Sequence, residues 1–506
     1  MTGYHEVYAG WKADPEMFWA KAALDIDWYR SWYKMFDPYM GEYGCWFAGA
    51  ECNTAYNCLD RHVAAGRGNQ LALIYDSPLT GMKTTLTFAE LTDKVAVLAG
   101  VLKDLGVARG DRVLISMPMV PEAAIAMLAA ARIGAVHTVV HGDLMAGALA
   151  AYIDDAQPRV ILAASCVHAP DRVIRYKPLI DEAIALAHHK PAAAMILQRP
   201  EAEATEMVEG RDYDWAALTA RGEAEARKAD CVAVKSNDPL YILYAAHSTG
   251  QPSGIVRDNG GHMVAMHWAM RNIYNTRPGE VYWAAADIGS AISHSYLVYA
   301  PLLAGCTTLM YEGEPVGTPD AGAFWRVIGE HKVATLFTTH AAMRAIMRED
   351  PDGALIAGYD FSDFNAMHLA GETGEPGGDI IKWAEDKLGV PVIDQWWQAE
   401  TGWPICANPF GADAIAASDN APNIPMPGYD LQVLNENATP SLLGEAGMLA
   451  VKLPLPPGSL SAIWNSATRL RAVYLAGIPG YYSTFKIGYE DADGYIYMTA
   501  YSEDAA

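Results

Sequence analysis

Basic residues are scarce in this chain of 506 residues, which has 36 lysines and arginines against 60 aspartates and glutamates. The resulting formal charge of −24 repels nucleic-acid backbones and anionic lipid, so neither is an expected partner. Apolar runs of the roughly 18 to 20 residues that span a membrane are also lacking. The first ten residues have neither the basic nor the apolar region of a signal peptide. We therefore expect a partner that is a small molecule.

Cysteine is sparse and irregularly placed. The seven cysteines are odd in number and none is in Cys-x-x-Cys spacing, which predicts reduced thiols and a cytoplasmic protein. No His-Glu-x-x-His motif occurs among the 14 histidines, so a transition-metal site has little support. The oligomeric state is left open, a homo-oligomer included.

Apolar residues make up 51% of the chain, enough for a large core. From residue 71 the pattern alternates between strands and helices, with strands predicted at 71–75, 112–117 and 135–140 and helices at 87–105 and 121–133. This alternation is typical of βαβ units and parallel sheet. After residue 428, short apolar runs separated by Pro and Gly predict a small β subdomain. The predicted fold class is α/β.

The segment 239–254 is the most informative stretch. Its first half predicts a buried strand, and the residues from Ser248 to Gly254 predict a turn that offers hydroxyl and N–H groups to an anion. Taken without the rest of the chain, this segment would be explained by an ordinary strand followed by a polar turn. A Walker loop is excluded because the required Gly-Lys-Ser/Thr is missing. A serine-hydrolase elbow at Ser248 is disfavoured because Pro252 and Gly254 interrupt the helix that must follow the serine.

Several longer motifs accompany this loop. They lie at residues 256–262, 311–322, 324–327, 396–404 and 453–458. Together with the loop they resemble AMP-forming acyl-CoA synthetases over nearly the whole chain, and most of all propionyl-CoA synthetases and the adenylating part of propionyl-CoA synthase. The resemblance implies the large N-terminal domain of that family, with two βαβ-type sheets packed through helices and a small β subdomain. The implied domains are an N-terminal extension at 1–70, an adenylate-forming α/β core at 71–427 and a small β subdomain at 428–506.

The resemblance also implies a nucleotide site. Ser248, Thr249 and Gly250 correspond to the phosphate loop, and Glu400, with Thr249, to the Mg²⁺ site, so Ser248, Thr249 and Glu400 are the implied catalytic residues. The residues that correspond to the rest of the nucleotide site are Ser253, Gly371, Glu372, Thr373, Asp394, Gln395, Trp396, Trp397, Gln398, Thr401 and Lys486. ATP, Mg²⁺ and CoA are the implied cofactors, and the implied reaction converts a short carboxylate such as propionate to acyl-AMP and then acyl-CoA.

The acyl pocket is implied in the same way. The family lines it with a Gly-Trp-Val-x-Gly-His-Ser-Tyr segment and a double Trp, and the corresponding residues here are Ser290, Ala291, Ile292, Ser293, His294 and Trp397. Trp397 restricts the pocket to short acids. Ser290 and Ala291 replace Trp and Val, so the cavity should accept something larger or more polar.

Other departures fall on the nucleotide motifs. Ser253 stands where the family has the phosphate-loop lysine, and Phe485 and Lys486 stand where it has the Gly and Asp of a Thr-Gly-Asp motif. That Asp takes the ribose hydroxyls. The chain ends at Ala506, where the resemblance implies that a small C-terminal domain would be missing. We therefore expect impaired adenylation. The alternatives are an inactive or redesigned scaffold that binds another small molecule and, third, a serine hydrolase.

Overall fold

The computed structural model describes residues 3–140, 144–169, 171–200, 204–245, 253–370, 378–408, 424–466 and 468–501. Two large sheets dominate these residues. The order of the nine-stranded sheet is Ile424–Pro425, Cys406–Ala407, Val392–Trp396, Ala366–Ala370, Val333–Thr339, Val281–Ala284, Thr307–Tyr311, Leu71–Ser77 and Met82–Thr87. The order of the eight-stranded sheet is Asp212–Asp214, Ala193–Leu197, Val160–Ala164, Arg112–Ser116, Val136–Val139, Pro239–Ala245, Ser253–Asp258 and Ala462–Ile463.

The centre of each sheet is parallel, as the alternating pattern predicts. Antiparallel strands occur at the edges, where Leu71–Ser77 pairs with Met82–Thr87 and Pro239–Ala245 pairs with Ser253–Asp258. A four-stranded antiparallel sheet follows, in the order Asp430–Leu434, Gly447–Lys452, Tyr481–Glu490 and Ile496–Tyr501. Two-stranded pairs join Lys34–Asp37 to Cys45–Ala48, Glu51–Cys52 to Val234–Lys235, and Cys166–Ala169 to Arg172–Arg175.

Helices fill the space between the sheets and cover their outer faces. The largest apolar core joins both sheets through Phe88–Asp104, Pro121–Arg132 and Asn259–Asn272. The outer face of the nine-stranded sheet packs on Ala323–His331, His340–Glu349 and Gly378–Leu388, and that of the eight-stranded sheet on Ala146–Ala156 and Lys177–Leu186. The other helices are Tyr4–Ala13, Pro15–Ala22, Trp215–Ala224 and Ala300–Leu303, with shorter turns at Ala23–Asp25, Tyr56–Asp60, Val63–Arg67, Ser293–Tyr299, Ala354–Ile356 and Arg471–Leu475. This layering confirms the predicted α/β class.

Local signals explain where helices begin. Thr87 Oγ1 accepts a hydrogen bond from Glu90 N, and the Glu90 carboxylate accepts one from Thr87 N, so two of the amides that a helix start leaves free are satisfied. Pro121 occupies the first turn of its helix, where its missing N–H costs nothing. Asp258 accepts from His262 N and caps Asn259–Asn272.

The turn predicted at Gly254 is wrong. Gly254 lies inside the strand Ser253–Asp258, which pairs with Pro239–Ala245. The glycine is needed for packing, because a Cβ there would lie 2.6 Å from Ile242 Cγ2. The first described element after Ser248 is therefore a strand, and a hydrolase elbow requires a helix there.

The segment between Lys452 and Tyr481 returns to the large sheets. Its strand Ala462–Ile463 pairs with Val256 and Ile255 and becomes the edge of the eight-stranded sheet. The segment that connects two strands of the small sheet therefore also pairs with the eight-stranded sheet. The boundaries at residues 70 and 427 stay predictions.

Candidate active site

The loop after the strand Val392–Trp396 is held in a compact turn. Thr401 Oγ1 accepts a hydrogen bond from Gln398 N at 3.0 Å, and Gly402 N donates to Gln398 O at 3.0 Å. Thr401 is fully buried, so its hydroxyl serves the turn. Glu400 lies at the half-buried tip of the turn.

Arg257 supports this turn from the neighbouring sheet. Its guanidinium is buried and donates from Nη2 to the carbonyl of Ala399. Gly402 has a φ of +74°, and a Cβ there would lie 2.6 Å from Arg257 Nε, so both the conformation and the close approach require glycine. The backbone on either side of Glu400 is therefore fixed.

The small β sheet forms the facing wall. Gln398 Nε2 donates to Thr484 O at 2.8 Å, and Gln398 Oε1 accepts from Tyr482 Oη at 3.0 Å. Tyr474 Oη donates to Glu400 Oε1 at 2.6 Å. Burial, and then the nearby Glu400 carboxylate, raises the pKa of Tyr474 well above its ordinary value, so this hydroxyl stays protonated. Glu400 thereby sits between the two large sheets and the small one.

A bulge lies beside this wall. Leu449 pairs with Lys486 and Ala450 with Ser483, so Thr484 and Phe485 are extra residues in the strand Tyr481–Glu490. Phe485 takes a φ of +57°, and its ring lies 5.9 Å from that of Tyr474. Lys486 is only 6% exposed. At the position of Lys486, the resemblance places the Asp that binds the ribose.

The remaining residues of the strand Val392–Trp396 face different surroundings. Asp394 Oδ1 lies 3.1 Å from His340 Nε2. Gln395 is fully buried and bonds Tyr274 Oη at 2.9 Å and His368 Nδ1 at 2.8 Å. Burial lowers the pKa of His368 to about 3, so the ring is neutral and accepts the amide proton. Trp396 is packed in the core, so the side chains of Gln395 and Trp396 serve the interior.

One aromatic contact joins Trp397 to the turn Ser293–Tyr299. Trp397 is half-buried and meets Tyr296 edge to face at 6.0 Å, and Tyr296 follows the segment 290–294. Ser293 N donates to Ser290 Oγ at 3.1 Å. His294 Nδ1 lies 2.9 Å from Ser290 O, and its Nε2 accepts from Val139 N at 3.4 Å, an arrangement that makes the ring neutral with its proton on Nδ1.

Two of these residues are small. The resemblance puts Trp and Val at positions 290 and 291, where this chain has the hydroxymethyl group of Ser290 and the methyl group of Ala291. Ala291 is half-buried, and the next residue, Ile292, is buried. Ser253 is 2% exposed and lies at the start of its strand, where it pairs with Ala245.

Six predicted residues cannot be placed. Ser248, Thr249, Gly250, Gly371, Glu372 and Thr373 lie outside the described residues.

Sequence reasoning missed Arg257, Tyr474 and Tyr482 as parts of the site. Arg257 lies in a motif that carried the resemblance, but its role depends on a contact across two sheets. The two tyrosines stack at 5.5 Å and touch the Glu400 turn through their hydroxyls. No spacing rule connects residues that are 74 and 84 positions apart.

Glu400 offers a ligand of the kind that Mg²⁺ prefers. A carboxylate is a hard oxygen ligand, and the bond from Tyr474 engages one of its oxygens and leaves the other to a cation. Another possible metal-binding cluster consists of Asp76, Glu330 and His331. Their ligand atoms lie within 4.8 Å of one another. Arg326 and Lys83 already neutralise it, so it is a salt-bridge network.

Comparison with known proteins places the chain among enzymes that activate carboxylates. Residues 60–455 match the family described as AMP-binding enzyme, and residues 4–58 match the acetyl-coenzyme A synthetase N-terminus.

Individual relatives cover almost all of the chain. It is 42% identical to the mitochondrial acyl-CoA synthetase short-chain family member 3 of Rattus norvegicus, over 99% of this chain and 73% of that protein. It is 39% identical to the propionate–CoA ligase of Salmonella typhimurium, over 99% of this chain and 79% of the ligase. The solved acetoacetyl-CoA synthetase from Streptomyces lividans has the same fold, with a TM-score of 0.86 and 24% identity over 99% of this chain and 76% of that one.

Proposed function

Because the chain belongs to the AMP-binding enzyme family and has the acyl-CoA synthetase fold, we propose that it is a propionate-type adenylating domain with a weakened nucleotide site. In such a reaction a carboxylate oxygen bonds to the α-phosphorus of ATP, and the bond to the bridging oxygen breaks to release pyrophosphate. The sulfur of CoA then attacks the acyl carbon, and AMP leaves.

The observation that carries the proposal is the fixed position of Glu400. Arg257 holds the carbonyl before it, Thr401 closes the turn after it, and Tyr474 orients its carboxylate. An enzyme that neutralises phosphate charge gains most from ligands whose positions are fixed before the substrate arrives. When bound, Mg²⁺ would neutralise the phosphate oxygens, and Glu400, with Thr249, is the residue proposed to hold it.

The weakening is proposed from three substitutions. Lys486 offers N–H donors where the ribose hydroxyls need an acceptor, and Phe485 adds a ring next to it. Ser253 leaves the phosphates without the lysine that the family supplies. Loss of one electrostatic donor commonly costs about 3 kcal/mol in a transition state, so several losses together predict very slow turnover.

Pyrophosphate release from ATP, Mg²⁺ and propionate tests both parts of the proposal. We expect a rate at least a thousandfold below ordinary enzyme turnover, and Glu400→Gln should abolish what remains. A rate of the order of 10 per second would refute the weakening. A slow rate unchanged by Glu400→Gln would refute the assignment of Glu400.

A second function is favoured by the small side chains at the acyl pocket. Ser290 and Ala291 precede the turn whose Tyr296 contacts Trp397, and their small side chains suit a ligand with a bulky apolar part. The site would then bind another small molecule without activating it. A thermal-shift panel of ATP, AMP, propionyl-AMP mimics and polycyclic acids separates the two functions. Tight ATP binding with no shift from the large acids would exclude the second.

The cellular setting is part of the same proposal. All seven cysteines are free, which suits a reducing compartment such as the cytoplasm. Among the described residues, no helix combines the length and apolar character needed to cross a membrane. We propose small-molecule partners and no nucleic-acid partner, on the basis of the negative charge.

A further inference from the structure

A cavity of about 610 Å³ lies on the other side of the strand Ser253–Asp258 from the candidate active site. Val256 and Asp258 line the cavity, while Arg257 between them reaches the carbonyl of Ala399. Successive side chains of a strand point to opposite faces, so the cavity and the Glu400 turn are separated by the thickness of one strand. The volume falls in the range of about 300 to 1,000 Å³ that is typical of small-molecule sites.

The walls come from four parts of the chain: residues 40–46, Asn237 with Pro239, the strand Ser253–Asp258, and the segment 456–466. The aromatic residues among them have already used their polar atoms. Tyr43 Oη donates to Leu460 O, Trp46 Nε1 donates to Leu455 O at 2.9 Å, and Trp464 Nε1 donates to Asp155 O at 3.1 Å. These aromatic residues therefore offer a ligand only their hydrocarbon and ring surface.

Asp258 is the one lining residue whose side chain is charged at neutral pH. Its carboxylate accepts from His262 N at 3.2 Å, and its second oxygen lies 3.5 Å from Asn237 Nδ2. No lysine, arginine or histidine is among the lining residues. Burial raises the pKa of Asp258 to about 6 although the amides of His262 and Gly261 and the charge of Arg257 stabilise the carboxylate, so the group is mainly ionised at pH 7.5 and faces no cation from the cavity side.

We propose that this cavity binds a small arylalkyl amine, with its ammonium group paired to Asp258 and its ring packed among Tyr43, Trp46 and Trp464. The charge complementarity identifies the ligand class, because a buried carboxylate in an apolar cavity favours a cation that can also donate hydrogen bonds. The aromatic walls favour a flat apolar body and add attraction to the ammonium. A neutral or anionic molecule of the same shape supplies no cation to the Asp258 carboxylate.

The experiment is calorimetric titration of the full chain at pH 7.5 with tryptamine, and with the neutral analogue tryptophol as the matched probe. We expect tryptamine to bind at least tenfold more tightly than tryptophol. Asp258→Asn should remove this preference, and because Asn caps helices as well as Asp does, the variant should fold. Ala462→Phe, which narrows the cavity without touching the carboxylate, should weaken both probes.

Competition separates this site from the proposed active site. Saturating ATP and propionate should leave the tryptamine affinity within twofold, whether or not the chain turns over. Equal affinity for tryptamine and tryptophol, an unchanged preference in Asp258→Asn, no binding at millimolar concentration, or displacement by ATP would each overturn the proposal. The circular dichroism spectrum and melting temperature of each variant show whether a loss of binding reflects a loss of fold.

Discussion

Phe485 keeps a backbone conformation that suits a smaller residue. At a φ of +57° the Cβ of an L-residue crowds the following carbonyl oxygen, which costs about 1 to 2 kcal/mol. The resemblance places glycine at this position, and glycine adopts this conformation without strain. The half-buried ring packs near Tyr474 and offsets part of the strain.

Comparing Phe485→Ala with Phe485→Gly isolates this strain, because both variants lose the ring. We expect the Gly variant to be more stable than the Ala variant by roughly 0.5 to 1 kcal/mol, measured from urea unfolding. The matched pair Ser483→Ala and Ser483→Gly should show the opposite order, since Ser483 lies in the paired part of the same strand. Identical orders at both positions would mean that Phe485 is unstrained.

Tyr474 is predicted to orient Glu400 for Mg²⁺. Tyr474→Phe removes the hydroxyl 2.6 Å from Glu400 Oε1 and lets the carboxylate rotate. We expect the Mg²⁺ concentration that half-saturates ATP binding to rise about tenfold, as for other residues that orient metal ligands. Tyr489→Phe, which removes a hydroxyl from the small sheet that packs against the turn Arg471–Leu475, should leave that concentration unchanged. Equal effects of the two variants would show a general effect on the sheet.

Individual site residues were only partly predictable. Trp397 and Glu400 are assigned together because a short motif carries both, and their roles in binding stay predictions. The same motif predicts Gln395 and Trp396 as pocket residues, yet their side chains lie in the interior. Strand residues alternate between faces, and a resemblance that spans consecutive residues does not say which of them face the ligand.

At the scale of elements, local signals were the reliable ones. The helix Phe88–Asp104 begins after Thr87 as predicted, because a capping box is complete within four residues. The first two residues of the strand Ser253–Asp258 were predicted as the end of a turn, because glycine is common in turns and the packing of Gly254 against Ile242 depends on the partner strand. Pairing between strands depends on tertiary structure, which overrides local sequence propensity.

One buried ion pair joins the two large sheets. Glu312 follows the strand Thr307–Tyr311, and Arg199 follows Ala193–Leu197 in the other sheet. Their side chains are 4% and 6% exposed, and Arg199 Nη2 lies 3.0 Å from Glu312 Oε2. Tyr75 and Ser77 also donate to Glu312, at 2.6 and 2.9 Å. The carboxylate therefore depends on partners from both sheets.

Arg199→Met should destabilise the fold by about 3 to 5 kcal/mol, because it leaves a buried carboxylate without its cation. Arg199→Met combined with Glu312→Gln should recover part of the loss, since the charge is gone and the hydroxyl donors remain. Arg221→Met, which removes a pair exposed on a helix surface, serves as the control and should leave the unfolding midpoint unchanged. A small effect of Arg199→Met would show that the sheets are held by apolar packing alone.

At the scale of the whole molecule, one strand separates two different environments. Arg257 supports the Glu400 turn on one side of Ser253–Asp258, and Asp258 faces the cavity on the other. The strand Ala462–Ile463 pairs with it from the chain segment that leads to Tyr474 and Lys486. The overall fold was predictable from motifs because they span the chain, whereas this arrangement depends on the return of the 453–480 segment to the core.

The nucleotide site can be tested by restoring its charges. Lys486→Asp should return an acceptor for the ribose hydroxyls, and Ser253→Lys should return a cation for the phosphates, so the double variant should bind ATP at least tenfold more tightly than the parent. Lys452→Asp, on the neighbouring strand Gly447–Lys452, makes the same change in net charge as Lys486→Asp alone, at an exposed position, and should give no gain. Lys486 and Ser253 are both buried, so the melting temperature of each variant must be measured to separate a loss of fold from a loss of binding. If ATP affinity stays flat in a folded double variant, or rises equally in Lys452→Asp, then these two positions do not weaken the nucleotide site, and the small side chains at Ser290 and Ala291 become the main sign of an altered ligand.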